Sequence, residues 1–325
     1  MQAIEITYGL PYNQAVTTVY SLAQCALVSM LVAGTGCEKK PAHATDPGAI
    51  SALDHAMGAG SGDRDAAVDT TPLSGIAVDK LDADKQRLFF SLVGSLGSPC
   101  GKGHSLRVSY TTDTSCKRAP FAVRYVLALV DDEATEMQIR DEYRKKYGAK
   151  PAPVAIDGSR APREGTEGAP IKLYEFFDYG CPHCALVKPV LEQVMADRAG
   201  KVVAYFMMFP LDKHEHSKSA AQAALAAAHQ GKFRAMHDML FAKAPQHDRE
   251  KVFEYAKAIG LKMDKFEADY SDPATMSQVK SDLAQGEQAG VDSTPTLFFN
   301  DRKYEGPLHL KYIEMWIDEE LAVNR

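Results

Sequence analysis

A chain of 325 residues, 45% of them hydrophobic, is long for one compact domain and apolar enough to bury a real core, so two domains with linkers are expected. A formal net charge of −6 with no long basic run argues against a nucleic-acid partner. Six cysteines, Cys25, Cys37, Cys100, Cys116, Cys181 and Cys184, are too few for a disulfide-scaffold protein of this length.

In chain order, residues 15–36 form an uncharged apolar run that ends in Gly34, Thr35 and Gly36, followed by Cys37 and a charged stretch. Residues 1–37 read as a signal-type leader of the lipoprotein kind, with Cys37 as the lipidation site. No Lys or Arg precedes the run, and Gly34 stands where such signals carry Leu, so an uncleaved membrane anchor is the competing reading. Either reading puts the body of the protein in an oxidising compartment, the periplasm or cell envelope. Residues 38–75 are rich in Ala, Gly, Asp, Ser, Thr and Pro without a sustained apolar period, as expected of a flexible tether.

Residues 76–149 read as a small, mostly helical module. Leu88, Phe89, Leu92 and Leu96 make one apolar stripe, and Phe121, Tyr125 and Leu129 another. Thr135 with Gln138 fits a capping box, and Gly148 fits a helix end. Cys100 lies in the Pro/Gly break SPCGKGHS, and Cys116 precedes the second stripe. The simpler reading of this pair is a structural disulfide stapling two helices, worth about 3 kcal/mol for a loop of this size. The sharper reading is a second redox pair.

Residues 151–170 are an irregular connection, with a short edge strand expected at residues 154–156. From Ile171 the run IKLYEFFDY reads as a buried strand, CPHCALVKPVLEQVMADRAG as a helix, and VVAYFMMF as a second buried strand stopped by Pro210. A long helical block follows: a stretch rich in Ala at 220–228, an apolar face through Phe233, Met236 and Leu240, a helix capped by Asp248 and closed by Gly260, and another over 276–290. TPTLFFN is a strand, Asn300 and Asp301 make a turn, and a last helix carries Tyr312, Trp316 and Leu321. This order predicts an α/β fold, a thioredoxin fold with a central helical insertion, over 150–325.

Cys181-Pro182-His183-Cys184 sits where a strand gives way to a helix, with both sulfurs inside one helical turn. At a helix start, unpaired N–H groups and the helix dipole favour a thiolate, the nucleophile of disulfide exchange. Cys184, one turn in, would resolve the mixed disulfide. A zinc site would need a second close pair of ligands, and covalent haem would need His where Ala185 stands. His214 and His216 form an H-x-H pair that reads as a solvated loop.

The segments YEFFDYGCPHC, FPLDKHEHSKSAAQAALAAAHQGKFRAMHDMLF and GVDSTPTLFFNDRKYEGP resemble the DsbA-like thioredoxin family. The resemblance implies that Cys181 and Cys184 exchange disulfides, that Pro182 shapes the turn, and that His183 donates toward the Cys181 sulfur. It implies that Glu175 is the buried acid that handles the proton of the inner cysteine. From the residues alone, Glu175 would be a partly exposed strand carboxylate, and Asp178 a turn cap. Thr294-Pro295 resembles the family's cis-proline loop, whose backbone pairs with a substrate peptide. The Pro-His dipeptide points to an oxidase, while Thr294 leaves room for isomerase or reductase work.

The module around Cys100 and Cys116 resembles the helical domain of CcmH, a thiol-handling protein of cytochrome c maturation. Gly103 replaces the second cysteine of that family's CxxC, so its function is not carried over. The expected activity is that of an exported protein thiol–disulfide oxidoreductase. It needs no metal and no organic cofactor. Its partners would be cysteine-containing exported proteins and a redox partner that regenerates it, with a membrane tether through the N-terminus. The non-enzymatic alternative is a tethered chaperone or binding module with a static Cys181–Cys184 disulfide.

Overall fold

The computed structural model describes residues 68–149 and 155–323. The leader, Cys25, Cys37 and most of the expected tether lie outside the described residues. The tether's last residues pack rather than trail. Leu73 is buried, and Arg107 Nε donates to Asp69 Oδ2 at 2.7 Å while its Nη2 donates to the Asp69 and Thr71 carbonyls.

Four helices make the N-terminal bundle: α1 (Ala83–Ser95), α2 (Leu106–Thr111), α3 (Ala119–Asp131) and α4 (Glu136–Tyr147). Asp82 caps α1 and Ser105 caps α2 through their side-chain oxygens. The capping box of Thr135 and Gln138 opens α4, with Glu136 in its first turn and Arg144, Lys145 and Lys146 in its last, matching both ends of the helix dipole. Helix α3 buries Ala122, Val123, Val126 and Leu129 and is the bundle's centre. Cys100 and Cys116 are joined, with Cα atoms 5.8 Å apart. The bond ties the loop after α1 to the turn before α3, not helix to helix as the sequence suggested.

The C-terminal part is a five-stranded sheet in the order β1-β3-β2-β4-β5. It comprises β1 (Arg163–Gly165), β2 (Ile171–Phe177), β3 (Val202–Met208), β4 (Thr296–Phe299) and β5 (Arg302–Lys303). Strands β2 and β3 are parallel, and every other pair is antiparallel. The edge strand expected at 154–156 is instead β1: Ala155 and Ile156 are irregular, and the chain reaches the β3 edge only at Arg163.

Alternation along β2 sends Leu173, Glu175 and Phe177 to one face and Tyr174 and Phe176 to the other. The first face packs on α5 (Pro182–Asp197), on the inserted helices α6 (Ser217–Ala228), α7 (Phe233–Lys243), α8 (Arg249–Ala258) and α9 (Met263–Ser271), and on the final α11 (Leu310–Val323). The second face is closed by α10 (Pro273–Gln288). A Cβ on Gly286 would come within 2.6 Å of the Phe209 ring, so only glycine allows α10 this approach.

The bundle docks on α11. Tyr312 is buried among the bundle's apolar residues, and its hydroxyl donates to Asp132 at 2.7 Å. Beside it, buried Lys146 pairs with Glu319 at 2.9 Å and sits 3.7 Å from the centre of the Trp316 ring. Arg118 binds Glu319 and Glu320, Arg302 binds Glu320, and the Tyr147 hydroxyl donates to Glu319 at 2.9 Å. Five buried or half-buried charges thus knit α3, α4, β5 and α11 together. Among the described residues no helix is long and apolar enough to cross a membrane.

Candidate active site

Cys181 is the N-cap of α5, in an extended backbone conformation, with Pro182 at the first helical position, where a missing N–H is harmless. The strand-to-helix step is short because Asp178 organises it. Its carbonyl accepts from Cys181 N at 3.0 Å, and its carboxylate accepts from Gly180 N at 2.8 Å, Leu211 N at 2.8 Å, His214 Nδ1 at 2.7 Å and the Ser217 hydroxyl. Asp178 is therefore more than the turn cap read from the sequence. It binds the loop behind the cysteines to the entry of α6. A Cβ at Gly180 would fall 2.7 Å from His214 Cβ, so only glycine fits there.

Both cysteines are free thiols, Cys181 5% and Cys184 0% exposed. The Cys181 thiol donates to the Thr294 carbonyl, with Sγ 3.3 Å from the oxygen. The carbonyl belongs to the loop before β4, where the Thr294–Pro295 peptide is cis. Burial pushes the Cys184 thiol far above its ordinary value. The Asp178 backbone and the Thr294 hydroxyl oppose that shift, and charge on Glu175 and Cys181 adds to it. The expected donation from His183 is not seen: its side chain is exposed, and the sulfur's hydrogen bond goes to Thr294. Leu186 is 70% exposed one turn along α5 from Pro182.

Glu175 is 4% exposed, not the partly exposed strand carboxylate that the residues alone suggested. Burial raises its pKa to about 8; Arg234 and Lys188 pull it down and Glu192 pushes it up. A cavity of about 60 Å³ lies against it, between the sheet and helices α5 and α7. Its polar walls are Glu175, Glu164, Lys188, Glu192, Arg234 and His237, and the volume suits one or two water molecules. His237 is buried, which holds its pKa well below the ordinary histidine value, and its Nδ1 lies 3.1 Å from the Tyr179 hydroxyl.

The structure thus brings Cys181, Cys184, Glu175, Thr294 and Pro295 together, while Cys100 and Cys116 belong to the bundle. Sequence reading passed over Tyr179, Ser217 and His237, and assigned His214 to a solvated loop. His214 is half-buried against Asp178, whereas His216 is exposed beside Glu215, so the two histidines share no partner. Only the long separation between Asp178 and Ser217 hides this network, since no local pattern links residues so far apart. Among the described residues no group of three or more His, Cys, Asp or Glu side chains is arranged to hold a metal ion.

Residues 159–319 match the thioredoxin family model described as Thioredoxin. Among curated proteins, the Na(+)/H(+) antiporter NhaA 3 of Salinispora tropica is 29% identical over 172 residues, which are 53% of this chain and 26% of that protein. The antiporter NhaA of Herminiimonas arsenicoxydans is 34% identical over 142 residues, 44% of this chain and 22% of that one. The chain therefore spans about a quarter of the length of these relatives. Among solved structures, BdbD from Bacillus subtilis aligns with a TM-score of 0.48 and 23% identity, covering 53% of this chain and 99% of that one. The thiol-disulfide exchange protein alpha-DsbA2 from Wolbachia pipientis aligns with a TM-score of 0.45 and 26% identity, covering 49% and 86%. With a parallel β2–β3 core, an inserted helical block and a CPHC helix start, the C-terminal part of the chain has a thioredoxin-like fold, over the residues that the Thioredoxin family model matches.

Proposed function

We propose that this chain is an exported protein thiol–disulfide oxidoreductase that introduces disulfides into cysteine-containing proteins of the periplasm or cell envelope. The observation that carries the reading is the 3.3 Å approach of Cys181 Sγ to the Thr294 carbonyl at the cis-proline loop. It puts the outer sulfur of the redox pair beside the backbone that would pair with an extended substrate peptide. In the oxidising direction a substrate thiolate attacks Cys181 Sγ, the Cys181–Cys184 bond breaks, and Cys184 leaves with the electron pair. A second substrate thiolate then attacks the substrate sulfur of the mixed disulfide and releases Cys181, so the substrate is oxidised and the pair reduced.

The departing Cys184 needs a proton, because burial disfavours its thiolate. Glu175, protonated at neutral pH, is the nearby donor and is recharged through the polar cavity. Pro182 sets the turn, and Thr294 with Pro295 holds the substrate strand. A second dithiol or disulfide protein returns the pair to its active state. Cys37 would provide a lipid anchor, with residues from 38 onward as the tether.

A second reading, isomerase or reductase, rests on Thr as the residue before the proline that faces Cys181. The test is the reduction potential of the Cys181–Cys184 pair in glutathione buffers. A value near roughly −120 mV supports the oxidase, and one near or below roughly −230 mV the reductase or isomerase. No exchange at all abandons the enzyme and leaves a tethered binding module.

A further inference from the structure

The disulfide in the helical bundle is built asymmetrically. Cys100 is exposed, in a Gly-rich loop, whereas Cys116 is 3% exposed beneath it. An attacking thiolate can reach only one sulfur. Exposed disulfides belong to the more oxidising, exchangeable class.

The second observation is that both halves are held in place without the bond. The loop over residues 97–105 is closed on itself: Gly97 and Ser105 form a bridge, Ser98 N donates to the His104 carbonyl at 2.9 Å, and Leu106 N donates to the Leu96 carbonyl at 2.7 Å. The turn that carries Cys116 is closed by its own N–H donating to the Asp113 carbonyl at 3.2 Å. Lys102 ties the two halves together, its Nζ 2.8 Å from Asp113 Oδ2 and also donating to the Ser115 hydroxyl. His104 Nε2 approaches the same carboxylate at 3.4 Å. The ion pair joins the same two segments as the disulfide, so they stay adjacent when the bond opens. Breaking it leaves the sulfurs facing each other, ready to close again.

We infer that Cys100–Cys116 is a second thiol–disulfide exchange site, independent of Cys181 and Cys184, that accepts two electrons from an external thiol donor with Cys100 as the point of entry. A donor thiolate attacks Cys100 Sγ, the Cys100–Cys116 bond breaks, and Cys116 leaves with the electron pair and takes up a proton. A second donor thiolate attacks the donor sulfur of the mixed disulfide and releases Cys100. The donor is left as a disulfide, and the bundle holds two thiols. The donor class is a dithiol protein or glutathione.

The test uses the full chain carrying Cys181→Ser and Cys184→Ser, equilibrated under native conditions in glutathione buffers, with each cysteine read by alkylation and peptide mass spectrometry. The expected result is a Cys100–Cys116 pair that passes from oxidised to reduced within the glutathione range while emission of the single tryptophan, Trp316, stays unchanged. With C116S, glutathione should add to Cys100 at least tenfold faster than it adds to Cys116 in C100S. A pair that stays oxidised across the range and opens only in denaturant overturns the inference, as does reduction that shifts the Trp316 emission. Should the double serine variant not fold, the wild-type chain with the same residue-resolved reading decides. The potential of the Cys181–Cys184 pair, measured in C100S/C116S, succeeds or fails separately.

Discussion

Replacing Glu175 by Gln in the reduced protein removes a buried ionisable group while keeping its shape. The folded pKa of about 8 stands above the ordinary 4.5, so the folded state holds this proton more tightly than the unfolded chain. The resulting stability is fully present below pH 4.5 and is lost as pH rises through 8. At about 1.36 kcal/mol per unit, the full loss is about 4–5 kcal/mol. Glu175→Gln should therefore match the wild type near pH 4 and exceed it by up to about 4 kcal/mol at pH 9. Urea denaturation of both proteins across this range measures the difference. Asp282, raised by burial to about 7, and Lys146, lowered by burial to about 8, titrate in the same window in both proteins and cancel. Arg234, Lys188, Glu192 and His237 face the site in both as well. The variant should also form the mixed disulfide with a substrate thiol about 100-fold more slowly at pH 7, having no proton to give the departing Cys184. A stability difference that does not change with pH would refute the reasoning, because Glu175 would then not be the group that titrates.

Asp178→Ala leaves the half-buried Gly180 and Leu211 amides and the buried Ser217 hydroxyl without their acceptor; with a buried donor costing about 1–3 kcal/mol and the half-buried ones less, a loss of about 2–3 kcal/mol is expected in chemical denaturation, with slower exchange at Cys181. Lys146→Met strips one partner from Glu319 and should cost about 3 kcal/mol. Loss of the cation 3.7 Å from the Trp316 ring should also change the emission of that residue, which a denaturation curve followed by fluorescence reads directly.

The half of the chain from Ile171 onward was legible because its signals are local. Strands announce themselves as short aromatic and branched runs, caps as single residues such as Asp248, and the redox pair as a fixed spacing inside one helical turn. Strand β1 was misplaced because Arg163-Glu164-Gly165 carries no strand signal of its own. It is a strand only because the β3 edge offers it partners. The sulfur contact of His183 was implied only by resemblance, and a side-chain rotamer of this kind is set by the packing around it; here the side chain is exposed and the sulfur bonds Thr294.

Composition, periodicity and motif spacing determined by themselves that this chain has a thioredoxin-like sheet, an inserted helical block and a thiol pair at a helix start. Tertiary structure alone decided that a polar cavity lies against Glu175, and that one carboxylate, Asp178, ties two distant segments behind the thiol pair. It alone decided that the bundle is keyed to α11 through Lys146, Trp316 and Glu319. The physical reason is the same in each case. Burial and pairing of charge depend on which surfaces meet, and those meetings join residues tens to hundreds of positions apart, beyond the reach of any local pattern.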